Sequence, residues 1–423
     1  MDFLNCLNFL PTYNIFKWIY EPNYVWRIVF LCCLANFINA ADRVIMPIVI
    51  IPISNHFGWN LHQYGWVLSS FSAGYLVSMI IGGSAAKRFG GSLILTFAIL
   101  FWSLSSIATP FFAHSIYSLV VSRILLGLRE GLGLPTILHI FSHVVPIEER
   151  SWALGYLVAF GVIGQTVATL VCPHLVWSHS FYIFGFIGLL WICLWIPVFN
   201  VIKKAESRDE FPAEQSQPFI LTPRWTDFIS HWPLWAIYIA HFSMNWSNYI
   251  VMLWLPTYLV RHLGADESSA MLTAIPYVCN CLGSVVAGRS ANILIQRQCS
   301  VLTVRRLMSC IGLLGPGVVL FLFSLSSSIT TAIVLISLSM TLSAFNSAGH
   351  LSNHVDVAPN HAGTTFSISN FLATIPGIIC GPLTTELVVT SGGRWFPVFI
   401  LAGFINVVGA VVYVSQSATI QVL

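Results

Sequence analysis

The sequence predicts an all-α membrane protein of twelve transmembrane helices in two six-helix halves, and three observations predict it. Of 423 residues, 57% are hydrophobic and only 8% charged, with a mean hydropathy of +0.81; a soluble globular chain carries about 25% charged residues. Twelve apolar windows of about 20 residues follow one another, at roughly 26–51, 64–83, 92–112, 116–143, 151–175, 180–201, 232–258, 268–288, 302–325, 328–352, 361–388 and 395–416. The longest polar segment, 203–228, divides these windows six and six.

The N-terminal stretch "MDFLNCLNFLPTYNIFKWIYEPNYVW" has an early acid, no basic n-region and a proline inside its apolar run, unlike a secretory signal. It also lacks the Arg- and Ser-rich character of a transit peptide. Its Trp, Tyr and Phe content suits an interfacial segment, and with about 25 residues before the first window a plastid address requires a longer precursor. The loops then set orientation. With an even number of spans, the side holding both termini carries Lys17, Arg27, Lys87, Arg88, Arg150, Lys203, Lys204, Arg208, Arg224, Arg289, Arg297, Arg305 and Arg306, against Arg261 and Arg394 opposite. The positive-inside rule places both termini in the cytoplasm. The expected organisation is a cytoplasmic N-terminal segment 1–25, a first half 26–201, a cytoplasmic linker 202–231, a second half 232–416 and a cytoplasmic tail 417–423. Each half carries a related feature after its second window, Gly83-Ser-Ala-Ala-Lys87-Arg88-Phe-Gly90-Gly91 and Gly288-Arg-Ser-Ala-Asn292, 205 positions apart. Two such halves joined by a cytoplasmic loop form the layout of the major facilitator fold, whose halves rock about a midplane site.

Away from their end turns, two windows contain charge. The first holds Asp42 and Arg43; the fourth holds Arg123, Arg129 and Glu130. Each such charge costs about 2.5–3.5 kcal/mol at the centre of a membrane helix, and three together about 8–10 kcal/mol if they meet lipid. Seven residues bring Glu130 about 20° round from Arg123 and about 10.5 Å along the helix, so both share a face. Gly127 lies between them on that stripe, leaving room for a ligand or for the two side chains to meet. Arg129 points about 120° away from Arg123 and needs another partner. A guanidinium fork binds oxyanions, so Arg123 is the expected anion ligand and Glu130 the proton-coupling group. Arg43 supplies a second positive contact, with Asp42 and Arg129 as possible accessory groups. Two arginines and few fixed acids are expected to give the cavity a net positive potential. The structural alternatives are an Arg–Glu packing pair and a local helix cap at Asp42-Arg43. In the second half, His241, Asn245 and Asn353 are expected on the substrate path, with His354 accessory and Asp356 structural near the cytoplasmic end. Gly127, Gly131, Gly133 and Pro135 permit close helix contact and bending.

Other chemistries find little support. Most of the ten cysteines lie inside apolar runs and form no disulfide or zinc framework. The pairs His139/His143 and His350/His354 have helical metal-ligand spacing, but neither carries an intervening glutamate of the zinc-protease kind, so no metal or other cofactor is expected. No phosphate-binding GxxxxGK[ST] loop occurs, an enzyme is not expected, and a net charge of +3 gives no reason to invoke nucleic acid. The sequon Asn245-Trp246-Ser247 falls inside a span, where glycosylation is implausible.

Several segments taken together resemble one family: "NAADRVIMPIVIIPISNHFGW" (39–59), "SRILLGLREGLGLP" (122–135), "PIEERS" (146–151), "HFSMNWSNYIVMLWLPTYL" (241–259), "LTVRRLMSCIGLLGPG" (302–317) and "SNHVDVAP" (352–359). They are similar to the anion/cation symporter family of the major facilitator superfamily, which includes vesicular glutamate and nucleotide transporters, sialin and plant phosphate or ascorbate transporters. The "DRVIM", "LPTY" and "GLLGPG" stretches look most like the plant phosphate-type members. The resemblance implies substrate recognition and proton coupling at Arg123 and Glu130, with Arg43 implicated beside them. Three departures stand out: Met244 replaces a basic residue common in helix seven, and Lys87 and Asn292 replace the acidic residues that latch the cytoplasmic side. The expected function is secondary active transport of a small anion, inorganic phosphate or a small organic anion, coupled to H+ or Na+ by alternating access. The protein is expected as a monomer in the plasma membrane or an endomembrane, with the solute, the coupling cation and the lipid bilayer as its partners. The alternatives are a neutral-solute facilitator, for which Arg43 and Arg123 are dispensable, and a non-transporting receptor on the same fold.

Overall fold

A chain with no water to satisfy its amides must close its hydrogen bonds within each segment, and every regular element among the described residues is helical. The structure, a computed structural model, describes residues 24–146, 149–207 and 224–423. The first half contains α1 (Tyr24–Phe57), α2 (Leu61–Phe89), α3 (Gly91–Phe112), α4 (Ile116–Glu130), α5 (Gly133–Val144), α6 (Arg150–Val171) and α7 (Trp177–Ser207). The second contains α8 (Trp232–Thr257), α9 (Ala274–Gln296), α10 (Val301–Ser324), α11 (Ile329–Ser343), α12 (His350–Val357), α13 (Ala362–Thr390) and α14 (Phe396–Gln416).

The fourth and tenth spans are each broken in two, where the sequence predicts single windows. Pro135 has no N–H to offer the carbonyl of Gly131, so the helix stops at Glu130 and restarts at Gly133. In the tenth, a 3-10 turn at Ala344–Ser347 precedes Gly349, and Asn346 spends its amide on the carbonyls of Ser343 (3.0 Å) and Gly312 (2.8 Å). Counting each broken pair as one rod, ten rods among the described residues are long and apolar enough to cross a membrane. The other two long helices, α2 and α8, complete the twelve. Both lie on the seam between the halves, and α8 carries Ser, Asn and His there, which lowers its hydropathy. The second helix also runs further than its window, so Lys87 and Arg88 occupy its last turn rather than a loop. Apolar windows register the hydrocarbon stretch, and charged end turns lie beyond it.

The rods alternate in direction. One face, here the terminal face, holds the α2–α3 turn at Gly90, the 224–231 segment and the chain's C-terminal end; the far face holds the α1–α2 turn at Gly58. Helices α1, α2 and α6 pack across the seam against α8, α13 and α9 respectively. A single apolar cluster spans both halves toward the far face, joining Ile50, Ile53 and Tyr64 to Trp254, Leu255 and Tyr258. The clusters nearer the terminal face each belong to one half. Polar bonds reinforce the far-face seal. Arg261 Nη2 donates to Ser54 Oγ at 2.6 Å, Asn55 Nδ2 to Glu267 Oε1 at 3.1 Å, the Gly381 amide to Ser69 Oγ at 3.0 Å, and the hydroxyls of Tyr64 and Thr257 meet. A cavity of about 510 Å³ opens between the halves below that seal, bounded by Tyr75, Met79, Leu134, Phe366, Asn370 and Trp225. The bundle is closed at the far face and open toward the terminal face.

Candidate functional site

The seven-residue spacing on α4 does what it predicts: Arg123 and Glu130 are both buried, at 2% and 0% exposure, on one side of the helix. What they meet is set by α1 and α2. Arg43 Nε stands 3.8 Å from Glu130 Oε2, and its guanidinium lies 4.3 Å from the ring centre of Tyr75, a residue that lines the cavity. Phe71, one turn before Tyr75 on α2, lies between the two arginines at 5.8 Å from Arg43 and 5.5 Å from Arg123. Arg123 acts electrostatically on both Glu130 and Asp42. Asp42 accepts a hydrogen bond from Ser106 Oγ of α3 at 3.4 Å, and Asn39 Nδ2 donates to the Glu130 carbonyl at 3.4 Å. From the second half, Tyr249 of α8 faces Arg43.

Gly127 does not provide ligand space. A Cβ there would lie 2.1 Å from the Phe71 carbonyl oxygen, and one on Gly74 would lie 2.0 Å from that of Ile124. The two glycines let α2 and α4 touch backbone to backbone, which presses Phe71 and Tyr75 against the arginines. The sequence expectation of a net positive cavity is also corrected. Two guanidinium groups and two carboxylates gather here, so their formal charges cancel. The backbone angle that turns Asp42 away from Arg43 turns it toward Arg123, a partner only the packing of α1 on α4 could supply. Several of these buried polar atoms have no hydrogen-bond partner among the described residues: Arg123 Nε and Nη1, Arg43 Nε, both Glu130 oxygens and Asp42 Oδ2. Arginine donors left open in this way, behind the cavity-lining Tyr75, are the groups that hydrogen-bond oxyanions.

Arg43, Arg123, Glu130 and Asp42 therefore converge, and the other sequence-predicted positions do not join them. His241 Nδ1 pairs with Ser369 Oγ at 2.7 Å, and its ring lies 5.9 Å from cavity-lining Phe366, one layer behind the wall. Asn245 spends its amide on the His241 carbonyl of its own helix at 3.2 Å. Asn353 is buried beside Tyr413 in the core of the second half. His354 bonds Thr365 at 3.0 Å, again inside that half. Arg129 points outward and bonds Ser105 of α3. Asp356 is tied to Arg305 at 2.7 Å, in line with its expected structural part. Phe71, Tyr75, Tyr249, Asn370 and Thr374, which also stand near the quartet or on the seam beside the cavity, carry no charge to draw notice in the sequence. The first two are four apart on α2 and the last two four apart on α13, the spacing of one helix face, and that pattern could have singled them out. Both Asn370 Nδ2 and Thr374 Oγ1 lie 3.7 Å from Met79 Sδ across the seam.

A twelve-helix bundle sealed at one face, with a charge cluster buried behind the wall of a cavity between its halves, has the architecture of a membrane transport protein. Residues 32–380 match the Major Facilitator Superfamily, and the chain belongs to that superfamily and, within it, to the anion/cation symporter family. It is 32% identical over 415 residues to "Probable anion transporter 4, chloroplastic" of Oryza sativa subsp. japonica, covering 95% of this chain and 70% of that protein. It is 31% identical over 417 residues to "Sodium-dependent phosphate transport protein 1, chloroplastic" of Arabidopsis thaliana, covering 95% and 81%. Human sialin is 32% identical over 379 residues, covering 84% and 75%. Among solved structures, a bacterial homolog of the human lysosomal transporter Spinster, inward-facing and occupied, superposes with a TM-score of 0.76 at 15% identity over 94% of this chain and 98% of that one. The D-xylose–proton symporter gives 0.71 at 15% identity over the same shares, 94% and 98%. These likenesses show the fold.

Proposed function

We propose that the protein is a secondary active transporter of a small anion, inorganic phosphate or a small organic anion, coupled to H+ or Na+ and working by alternating access. The observation that carries this is the balanced quartet of Asp42, Arg43, Arg123 and Glu130 behind the cavity-lining Tyr75. At 3.8 Å, a unit charge pair at an effective dielectric of 20 interacts by about 4 kcal/mol. An anion entering between the arginines therefore competes with Glu130 and leaves the site one negative charge in excess. A proton on Glu130, or a cation beside it, restores balance, so anion and cation bind best together. That is the thermodynamic core of symport, because each ligand raises the affinity for the other.

In this reading Arg43 and Arg123 bind the anion, Tyr75 and Tyr249 orient it from the two halves, and Glu130 carries the coupling charge with Asp42 as its partner acid. The sequence's charge bias supports cytoplasmic termini and linker, which puts the open face of this conformation toward the cytoplasm. Rocking of the halves would break the far-face seal and close the terminal face about the same site. Among the relatives, one of Arabidopsis thaliana is named a sodium-dependent phosphate transport protein and another an ascorbate transporter, so both substrate classes stay open. The test is labelled phosphate uptake into proteoliposomes under an imposed pH gradient, a sodium gradient or neither, with glutamate and ascorbate as competitors. Accumulation above equilibrium under one gradient supports the proposal and identifies the cation. Uptake that equilibrates equally under all conditions, for phosphate and organic acids alike, overturns coupling.

A further inference from the structure

Arg129 stands apart from the quartet. It precedes Glu130 by one position, about 100° round α4, so the turn that buries Glu130 aims Arg129 at the outer wall. There a groove of about 570 Å³ runs between α3 and α4, within the size range of small-molecule sites. Its walls are Phe101, Val121 and Leu125, exposed by 45%, 54% and 41%. Its floor carries the hydroxyls of Ser105, Ser118 and Ser122. The guanidinium bonds Ser105 Oγ, reaches the Phe101 carbonyl at 3.5 Å and lies 5.6 Å from the Phe101 ring. Among the described residues no carboxylate lies within ion-pairing distance of it. The acids of this half's interior, Asp42 and Glu130, face Arg123 and Arg43 instead.

A fixed cation with only neutral partners, at the end of an apolar groove on the lipid-facing surface, calls for an anion from the membrane phase. Depth narrows the choice. Ser105 lies seven residues before the far-face end of α3 at Phe112, about 10 Å below it. A planar carboxylate matches the guanidinium fork at that depth, whereas a phosphodiester would bring its hydrated head group with it. We propose that the α3–α4 groove binds a single-chain lipophilic carboxylate, its head group on Arg129 and Ser105 and its chain against Phe101, Val121 and Leu125. The site lies on the back of the helix that presents Arg123 and Glu130, so an occupant contacts the element the transport site is built on.

The test uses the full chain in phosphatidylcholine nanodiscs with labelled oleate as probe, and oleyl alcohol and phosphatidylglycerol as competitors. Saturable oleate binding is expected, weakened about tenfold or more in Arg129→Gln and largely kept in Arg129→Lys, since a bond to a charged group is what the variant removes. Val121→Trp, which fills the groove and keeps the charge, should also abolish binding and serves if Arg129→Gln does not fold. Equal oleate binding by the wild type and both variants overturns the proposal. So does competition by oleyl alcohol as strong as by oleate itself, or displacement of oleate by phosphatidylglycerol at equal concentration.

Discussion

Replacing Glu130 by Gln keeps the side chain's size and removes one of the four clustered charges. The ion pair it breaks, at 3.8 Å from Arg43, is of order 4 kcal/mol at an effective dielectric of 20. The glutamate and an incoming anion compete for Arg43. If the anion recovers a third of that interaction, about 1.4 kcal/mol, its affinity rises about tenfold. Glutamine cannot take up a proton, so the tighter binding should come without gradient coupling. The assay has two arms on reconstituted protein: counterflow exchange of labelled substrate, and net accumulation under whichever gradient drives the wild type. Exchange should persist in Glu130→Gln while accumulation falls to the equilibration level. Gradient-driven accumulation at the wild-type level would refute the coupling argument, and substrate binding weakened tenfold would refute the competition argument.

Arg123→Gln leaves Asp42 and Glu130 buried without their shared cation; breaking such a pair costs about 3–5 kcal/mol, so uptake should fall to background and the melting temperature should drop, both measured on purified protein. Gly127→Ala forces a methyl group to within 2.1 Å of the Phe71 carbonyl, and overpacking of this kind costs about 1–3 kcal/mol; a lower melting temperature with reduced uptake is expected, and an unchanged one would show that α2 and α4 separate freely. Arg261→Ala removes the 2.6 Å bond to Ser54 across the far-face seal. In a variant retaining only Cys380, which is 1% exposed within the cluster spanning both halves, a membrane-impermeant maleimide applied from the far side should then react faster.

The architecture was legible because hydrocarbon leaves a backbone few options: apolar runs of this length become helices, and their count, polar divider and charge bias follow by inspection. Local geometry was legible too. The angle between Arg123 and Glu130, and the outward turn of Arg129, depend only on the helical period; near Pro135 the sequence indicated bending, and the structure shows a full break. The break at Asn346 was not legible, because it depends on a bond to Gly312 on a different helix.

What only the tertiary structure decided is which charges meet. Asn39 reaches the Glu130 carbonyl across 91 positions of chain, and no periodicity within α1 or α4 encodes that pairing. The same holds for Asp42, whose turn away from Arg43 was predictable but whose position near Arg123 was not. Asn245, Asn353 and His354 are as polar as the residues of the quartet, yet local and intra-half hydrogen bonds or packing within the second half hold them away from it. The sequence by itself determined the helices and the faces on which charge is carried, since both are properties of one segment and its solvent. The balance of two arginines against two acids, and the closure of one face, are sums over helices brought together in space, and only packing fixes them.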